Sequence, residues 1–319
     1  MNYLQRFIDD CQARGLTRHT IETYVSEVKP FLMANRDPEI VRTEDLGAFL
    51  GSLKAKGLCN STIAGYFDAI NVFYAFLVYY KLVQSNPVGG FVKRHLRRLR
   101  DPNEETNRRQ CISVQDMALV ASAAHDIREL AFIMMLVKTG IRRGELHDLR
   151  AEDVDFKRGI IRIPPKPKRS HNKAFIDDEL AAVLVEYLAW RKKRTRSDWL
   201  WISSRGGRVH KDYYGKVIAR IGVVLGLHDP KGDLCDRLTP HCFRHWFTTM
   251  LRRANMNPEI IMFLRGDHHV VAAWQIYDHV DSEEARQEYL RCIPRILTPG
   301  GVHPWEGAPV RKGAQNHDL

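Results

Sequence analysis

The feature of this sequence that most restricts its fold is a helical periodicity across residues 1–90. Apolar side chains recur at the spacing of one helical face over residues 21–32 and again over residues 63–77. Threonine or serine residues that can cap a helix precede both stretches, and the two openings resemble each other in sequence. We therefore predict a helical bundle whose aromatic side chains form its core rather than a base-stacking surface.

Turn-forming and basic residues end this helical region. The segment Asn86-Pro87-Val88-Gly89-Gly90 leads into a run of basic side chains at 93–100, and polar residues follow at 101–106. Pro and Gly interrupt helices, and clustered Lys and Arg attract phosphate groups, although a solvated linker has the same composition. We predict a first domain over residues 1–100 and a linker over 101–107.

The second half of the chain mixes helices with a short hairpin. Apolar strands predicted at 159–163 and 174–176 flank a strongly basic segment, which is typical of a β-hairpin with a cationic tip. Helices are predicted from Ser113, over 130–137, and over 178–191, 213–225, 241–254, 258–264 and 278–297. A second domain is expected over 108–297, and the Gly- and Pro-rich residues 298–319 are expected to be disordered. The fold class is mainly α, in two domains.

The charge of the chain indicates its partner class. The 319 residues carry a net charge of +11, and an excess of Lys and Arg favours nucleic acid or an acidic membrane surface. The six cysteines form no Cys-x-x-Cys pair, which argues against a zinc knuckle or a redox motif. The sequence shows no signal-peptide stretch and no apolar run of about 18 residues. We therefore expect an intracellular protein.

Two arginines, two histidines and a tyrosine occur in an order that suits attack on a phosphodiester. Arginine binds two phosphate oxygens at once and keeps its proton, so Arg142 and Arg244 could neutralise charge at phosphorus. His241 lies one helical turn before Arg244 and shares its face. His268 comes later in the chain, and Tyr277 could supply the attacking phenolic oxygen.

A lysine on the hairpin could protonate the leaving 5′-oxygen. Lys166, Lys168 and Lys173 all fit by composition, and physical reasoning alone does not choose among them. Glu145, three residues after Arg142, could accept bonds from a guanidinium and hold it still.

These residues resemble the tyrosine recombinase (phage integrase) family, whose pattern is Arg, Lys, His-x-x-Arg, His or Trp, and Tyr. The matching positions in this chain are Arg142, Lys166, His241, Arg244, His268 and Tyr277. Glu145 falls at the family's supporting acidic position, and spacing from the first arginine favours Lys166 as the lysine. The resemblance covers residues 1–295 and implies a two-domain DNA clamp, with an N-terminal helical SAM-like core-binding domain and a catalytic domain.

The resemblance also implies a function. The family cleaves and rejoins DNA strands at specific sites through a 3′-phosphotyrosine intermediate, without a metal or other cofactor. Expected partners are double-stranded DNA, further copies of the chain in a homo-tetramer on DNA, and an accessory directionality factor, with no membrane. A cytoplasmic, nucleoid-associated location follows. The side chains expected to contact DNA are Lys93, Arg94, Arg97, Arg98, Lys168 and Arg169.

The chain departs from the family pattern at the fifth position. The family usually has Leu-Gly-His there, whereas this chain has Leu264-Arg265-Gly266-Asp267-His268-His269. Spacing from the tyrosine favours His268, but alignment on the glycine places Asp267 in that position. Prolines also surround Lys166 where the family commonly has glycines.

Three other functions are compatible with parts of the pattern. A type IB topoisomerase shares the phosphotyrosine chemistry but relaxes supercoils, and the recombinase-like first domain argues against it. A DNA-binding regulator could keep the fold and lose catalysis. A metal-dependent nuclease could use the histidine pair at 241 and 245, yet no His-Glu-x-x-His motif or carboxylate cluster accompanies that pair.

Overall fold

The computed structural model describes residues 2–35, 37–96, 109–166, 169–267 and 280–297. The chain divides into two compact units, Met1–Glu104 and Glu105–Leu319, and helices dominate the described part of each. The linker expected at 101–107 and the tail expected at 298–319 lie outside the described residues.

The first unit is a helical bundle. Its helices are α1 (Tyr3–Ala13), α2 (Arg18–Ala34), α3 (Thr43–Ala55), α4 (Asn60–Tyr79) and α5 (Val88–Phe91), followed by a π-helical turn (Val92–Leu96). The side chain of Thr17 caps α2 by accepting a bond from the backbone N–H of Thr20, as its sequence predicts. The aromatic side chains Phe31, Phe67 and Phe73 are fully buried. They form a core, as expected from the helical periodicity.

Helix α4 is long and apolar enough, by length and composition alone, to cross a membrane. The sequence had indicated no such span. Half of the relevant stretch is buried inside the unit, where Phe67, Ile70 and Leu77 join the aromatic core. This burial is what the central helix of a bundle requires, because its neighbours cover it on several sides.

The second unit contains the remaining helices and a small sheet. Its helices are α6 (Val114–Ser122), α7 (Ile127–Thr139), α8 (Arg143–His147), α9 (Asp178–Lys192), α10 (Tyr213–Val224), α11 (Pro240–Arg253), α12 (Pro258–Arg265) and α13 (Ser282–Cys292). Helix α7 is buried along almost its whole length and packs against α9 and α11. It therefore forms the centre of this unit.

The predicted hairpin is present as part of a three-stranded antiparallel sheet. Strand β1 (Val154–Asp155) pairs with β2 (Ile160–Arg162), which pairs with β3 (Lys173–Phe175). Strand β1 was not expected, because two residues are too few to show an alternating pattern. Near the tip, Ser170 donates its backbone N–H to the carbonyl of Gly266 at 3.0 Å. The hairpin is thereby attached to the end of α12.

Candidate active site

Arg142 is held at the junction between α7 and α8. Helix α7 ends at Gly140, whose φ of 57° is left-handed and whose added Cβ would lie 2.6 Å from the Phe247 ring, so only glycine fits. Arg142 then occupies the N-cap of α8 in an extended conformation. Its backbone N–H and its Nη1 donate to the two oxygens of Glu145, each at 2.9 Å. The turn and Glu145 therefore fix the orientation of the Arg142 guanidinium.

Arg244 approaches the same place from the first turns of α11. Its side chain is buried, and its Nη1 donates to the Gly140 carbonyl at 2.8 Å. Its Nη2 donates to the Arg265 carbonyl at 3.1 Å. Burial lowers the pKa of Arg244 to about 10, so the guanidinium remains charged at neutral pH.

Asp267 joins the two arginines. Its Oδ1 accepts from Arg142 Nη2 at 2.5 Å and from Arg244 Nη2 at 2.6 Å. A third guanidinium follows closely, since Arg265 Nε lies 2.9 Å from Asp267 Oδ2. Two arginines that are distant in sequence thus converge on one oxygen atom, as binding of a phosphate oxygen would require.

Arg169 is buried against Glu145 and does not face solvent. Its side chain is almost fully buried, and its Nη1 donates to Glu145 Oε2 at 3.0 Å. Its Nη2 donates to the carbonyl of Lys173 at 3.4 Å. This placement does not fit the expected contact between Arg169 and DNA, because its charge is neutralised inside the protein. The burial of Glu145 instead calls for two cationic partners.

The arginines open onto a cleft of about 340 Å³. The side chains that line it are Arg109, Ile141, Arg142, Arg143, Thr239, Pro240, His241 and Arg244. Partial removal from water lowers the pKa of His241, and the charges of Arg109 and Arg244 lower it further. His241 is therefore neutral at pH 7 and can accept a proton. The cleft combines fixed positive charge with a proton-transfer group.

Lys166 is tied to a carboxylate that the sequence had not singled out. Its Nζ forms a short contact with Asp148 Oδ2, and Arg208 Nη2 donates to Asp148 Oδ1 at 2.6 Å. Burial raises the pKa of Asp148, but the bonds from Lys166 and Arg208 outweigh that effect and lower it overall. Lys173 lies on β3 and is exposed. Lys166 therefore has an anionic partner in Asp148, and it does not contact Arg142 or Arg244.

The other predicted site residues divide into two groups. Lys93 and Arg94 are exposed on the π-helical turn of the first unit, where they are accessible to a polyanion. Five predictions fall on residues outside the described part of the chain, namely Arg97, Arg98, Lys168, His268 and Tyr277.

Several participants had escaped notice in the sequence. Arg109 and Arg265 add positive charge around His241, and Asp148 pairs with Lys166. Asp148 lies three residues after Glu145, and this spacing was the available signal. The sequence gave no comparable signal for Arg109 and Arg265, because basic residues are frequent throughout this chain. Over the described residues, no group of three His, Cys, Asp or Glu side chains could hold a metal ion.

Family models and relatives cover both units. Residues 113–284 match the model of the phage integrase family, and residues 3–83 match that of the phage integrase N-terminal SAM-like domain. Tyrosine recombinase XerC of Roseiflexus castenholzii is 27% identical over 318 residues, covering 94% of each protein. Tyrosine recombinase XerD of Oceanobacillus iheyensis is 22% identical, covering 88% of this chain and 94% of the relative.

Solved structures share the fold. The Tn1549 transposon integrase in complex with circular intermediate DNA superposes with a TM-score of 0.66 at 19% identity, covering 90% of this chain and 98% of that one. A lambda integrase dimer bound to a COC′ core site gives a TM-score of 0.65 at 15% identity, covering 88% and 98%. The resemblance inferred from the sequence and the expected fold class are confirmed. This chain belongs to the phage integrase family.

Proposed function

We propose that the protein is a site-specific DNA recombinase that cleaves and rejoins strands through a 3′-phosphotyrosine intermediate. The observation that carries this proposal is the convergence of Arg142 and Arg244 in a cationic cleft beside His241. Similarity over most of the chain to relatives that are named tyrosine recombinases also supports it. The alternative of a metal-dependent nuclease gains no support from the described residues, among which no group of three His, Cys, Asp or Glu side chains could hold a metal ion.

In the proposed reaction, the phenolic oxygen of Tyr277 attacks phosphorus and the bond to the 5′-oxygen breaks. Arg142 and Arg244 bind non-bridging oxygens, whose negative charge grows in the transition state. His241 accepts the phenolic proton. Lys166, which pairs with Asp148 in the protein without DNA, is the proposed donor of a proton to the departing 5′-oxygen. Glu145 positions Arg142. The phosphotyrosine bond keeps the energy of the phosphodiester, so a DNA hydroxyl can reverse the step without a cofactor.

The proposed assembly extends beyond one chain. Exchange of strands between two sites needs several active sites at once, which supports a homo-tetramer on two duplexes as the working form. An accessory factor could set the direction of the reaction. Because the substrate is chromosomal or mobile DNA, we place the protein in the cytoplasm at the nucleoid. Lys93 and Arg94 of the first unit are proposed to bind the phosphate backbone.

Covalent capture tests the proposal. A library of duplexes carrying candidate sites and a nick beside the scissile phosphate is incubated with protein, and adducts that resist denaturation are sequenced. We expect protein on the 3′-phosphate side of the cut. Tyr277→Phe should abolish the adduct, whereas Tyr79→Phe should not, since Tyr79 is exposed on the first unit and loses the same atom. Adducts that survive Tyr277→Phe would exclude this nucleophile.

The arginine roles have their own test in the same assay. Arg142→Ala or Arg244→Ala should lower the rate of adduct formation by about 100-fold or more, with a smaller effect on DNA affinity, because the charge they stabilise develops in the transition state. Cleavage at the normal rate by either variant would contradict its assignment. Relaxation of supercoils without strand exchange would favour the topoisomerase alternative, and binding without adducts would favour the regulator.

A further inference from the structure

Asp267 occupies a position that its local structure does not favour. Helix α12 ends at Gly266, whose φ of 62° is left-handed, and Asp267 follows directly. The carbonyl end of a helix carries partial negative charge, so a carboxylate there is unfavourable by itself. Its side chain is held there by three guanidinium groups: Oδ1 accepts from Arg142 and Arg244, and Oδ2 lies 2.9 Å from Arg265 Nε.

Both arginines have other partners that hold them in place. Arg142 is bound to Glu145 through its backbone and its Nη1, and Arg244 is bound to the carbonyls of Gly140 and Arg265. These contacts fix each guanidinium without Asp267. The carboxylate is therefore an occupant of the arginine pair, and the scaffold of the pair does not depend on it.

The side chain of Asp267 can leave this position without moving the backbone. Its backbone N–H donates to the Met262 carbonyl at 3.2 Å, and its own carbonyl accepts from Ser170 Oγ at 2.8 Å. The side chain is 24% exposed and that of Arg142 is 31% exposed, so both are accessible from solvent. Rotation of the side chain alone would free the two Nη2 atoms from Oδ1, on Arg142 at the surface and on Arg244, whose side chain is only 4% exposed.

The residue type also matters at this point. His and Trp, which the family pattern places near here, carry N–H groups that can donate to a phosphate oxygen. An ionised Asp only accepts hydrogen bonds, so it cannot bind phosphate and instead binds the arginines that would. A phosphate oxygen can reach the Nη2 atoms of Arg142 and Arg244 only in competition with Asp267.

We propose that Asp267 is a competing carboxylate that occupies the arginine pair and must be displaced when a phosphodiester binds there. This inference rests on the proposed function of the pair, and it adds an autoinhibitory contact to it. Phosphate contacts elsewhere on the duplex would then be needed to offset the displacement. The contact restricts cleavage to DNA that is bound along the whole interface.

Sulfate, a tetrahedral anion, is a probe of this competition that needs no DNA. Thermal unfolding is followed as sulfate replaces chloride at constant ionic strength, since an anion that binds the native state raises the melting temperature. In Asp267→Asn the pair has lost a charged competitor but keeps a side chain of the same shape. We expect its apparent dissociation constant for sulfate to fall on the order of tenfold relative to the wild type.

Two further variants control the measurement. Asp198→Asn removes the same charge at a site that is 80% exposed, 3.9 Å from Arg150, and should respond to sulfate like the wild type. Asp267→Glu keeps the charge and should retain the weak response, and it remains informative if Asp267→Asn folds poorly. An unchanged or weaker response of folded Asp267→Asn would overturn the proposal and make Asp267 a structural brace.

Covalent capture separates failure of this inference from failure of the proposed function. If the wild type forms the adduct on DNA but Asp267→Asn binds sulfate no better, the competition alone is refuted. If Asp267→Asn binds sulfate more tightly but no protein forms an adduct, the competition stands and the recombinase proposal fails. If both the competition and the recombinase proposal hold, Asp267→Asn should also cleave short duplexes faster than the wild type does. Short duplexes make few other phosphate contacts that could offset the displacement of Asp267.

Discussion

Burial and neighbouring charges set the protonation of Arg244, His241 and His245. Arg244 stays cationic although it is buried, because its lowered pKa of about 10 is still well above neutral pH. His241 and His245 stay neutral at pH 7, because partial removal from water and the surrounding arginines lower the pKa of both below the usual 6.5. The site therefore separates fixed cations from proton-transfer groups by environment.

The lowered pKa of His241 predicts how stability depends on pH. The unfolded chain binds a proton near pH 6.5 and the folded protein binds it only at lower pH, so the free energy of unfolding falls as pH drops below 6.5. His241→Gln should flatten this decline, measured by urea denaturation between pH 7 and pH 5. His19→Gln, at an exposed position on α2, should leave it unchanged. Equal profiles for all three proteins would contradict the lowered pKa.

Sequence predicted the residues of the site that depend on local geometry. Arg142 and Glu145 are three apart and form a bond across the first turn of α8. His241 and Arg244 share a face of α11 because of the same spacing. The contact of Arg244 with Asp267, and that of Arg169 with Glu145, join separate elements. No spacing rule reports such contacts, so the sequence placed Arg169 among the expected DNA contacts and gave no sign of its bond to Glu145.

At the scale of elements, the end of α12 packs directly against Arg169, the buried arginine that donates to Glu145. A Cβ at Gly266 would lie 2.8 Å from Arg169 Cγ and Cζ, and the burial and hydrogen bonds of Arg169 prevent it from moving away. The left-handed φ adds strain for any other residue. This glycine is thus required both by the turn and by the close approach of the hairpin.

Gly266→Ala should destabilise the protein by about 2 to 4 kcal/mol, the sum of left-handed backbone strain and overpacking. Gly226→Ala provides the matched control, because Gly226 has a φ of 70° with nothing within 4 Å of an added Cβ. It should cost only about 1 kcal/mol. Urea denaturation measures both. Equal losses would show that Arg169 gives way and that the close packing carries little energy.

Most elements followed from their sequence patterns, and the exceptions have a physical cause. Helices α9 and α11 begin and end within one residue of the predicted bounds. Asp177 caps α9 by accepting the backbone N–H of Leu180, and α11 begins with Pro240 in its first turn. Of the predicted helix 278–297, residues 278–279 lie outside the described residues, and α13 spans Ser282–Cys292 of the remainder. Beyond it, the chain is held by tertiary contacts, since Glu179 accepts the backbone N–H groups of Ile296 and Leu297.

At the scale of the molecule, the second unit contains a buried ionic group that its sequence concealed. Lys138 lies in the last turn of the apolar helix α7 and is fully buried, with Nζ 2.7 Å from Asp177 and 2.5 Å from Glu179. It also donates to the Pro294 carbonyl. Sequence reasoning treats a lysine at a helix end as exposed. Here two carboxylates compensate its charge and connect α7, α9 and the chain after α13.

The net charge of +11 predicts that DNA binding depends steeply on salt, because each phosphate contact releases a counterion. The double substitution Lys93→Gln and Arg94→Gln removes two positive charges. It should lower the slope of log affinity against log salt concentration by about 2. Lys54→Gln with Lys56→Gln removes the same charge from exposed positions at the end of α3. If DNA follows the π-helical turn, this control changes the slope less. Equal changes would mean that overall charge attracts DNA and that Lys93 and Arg94 make no direct contact.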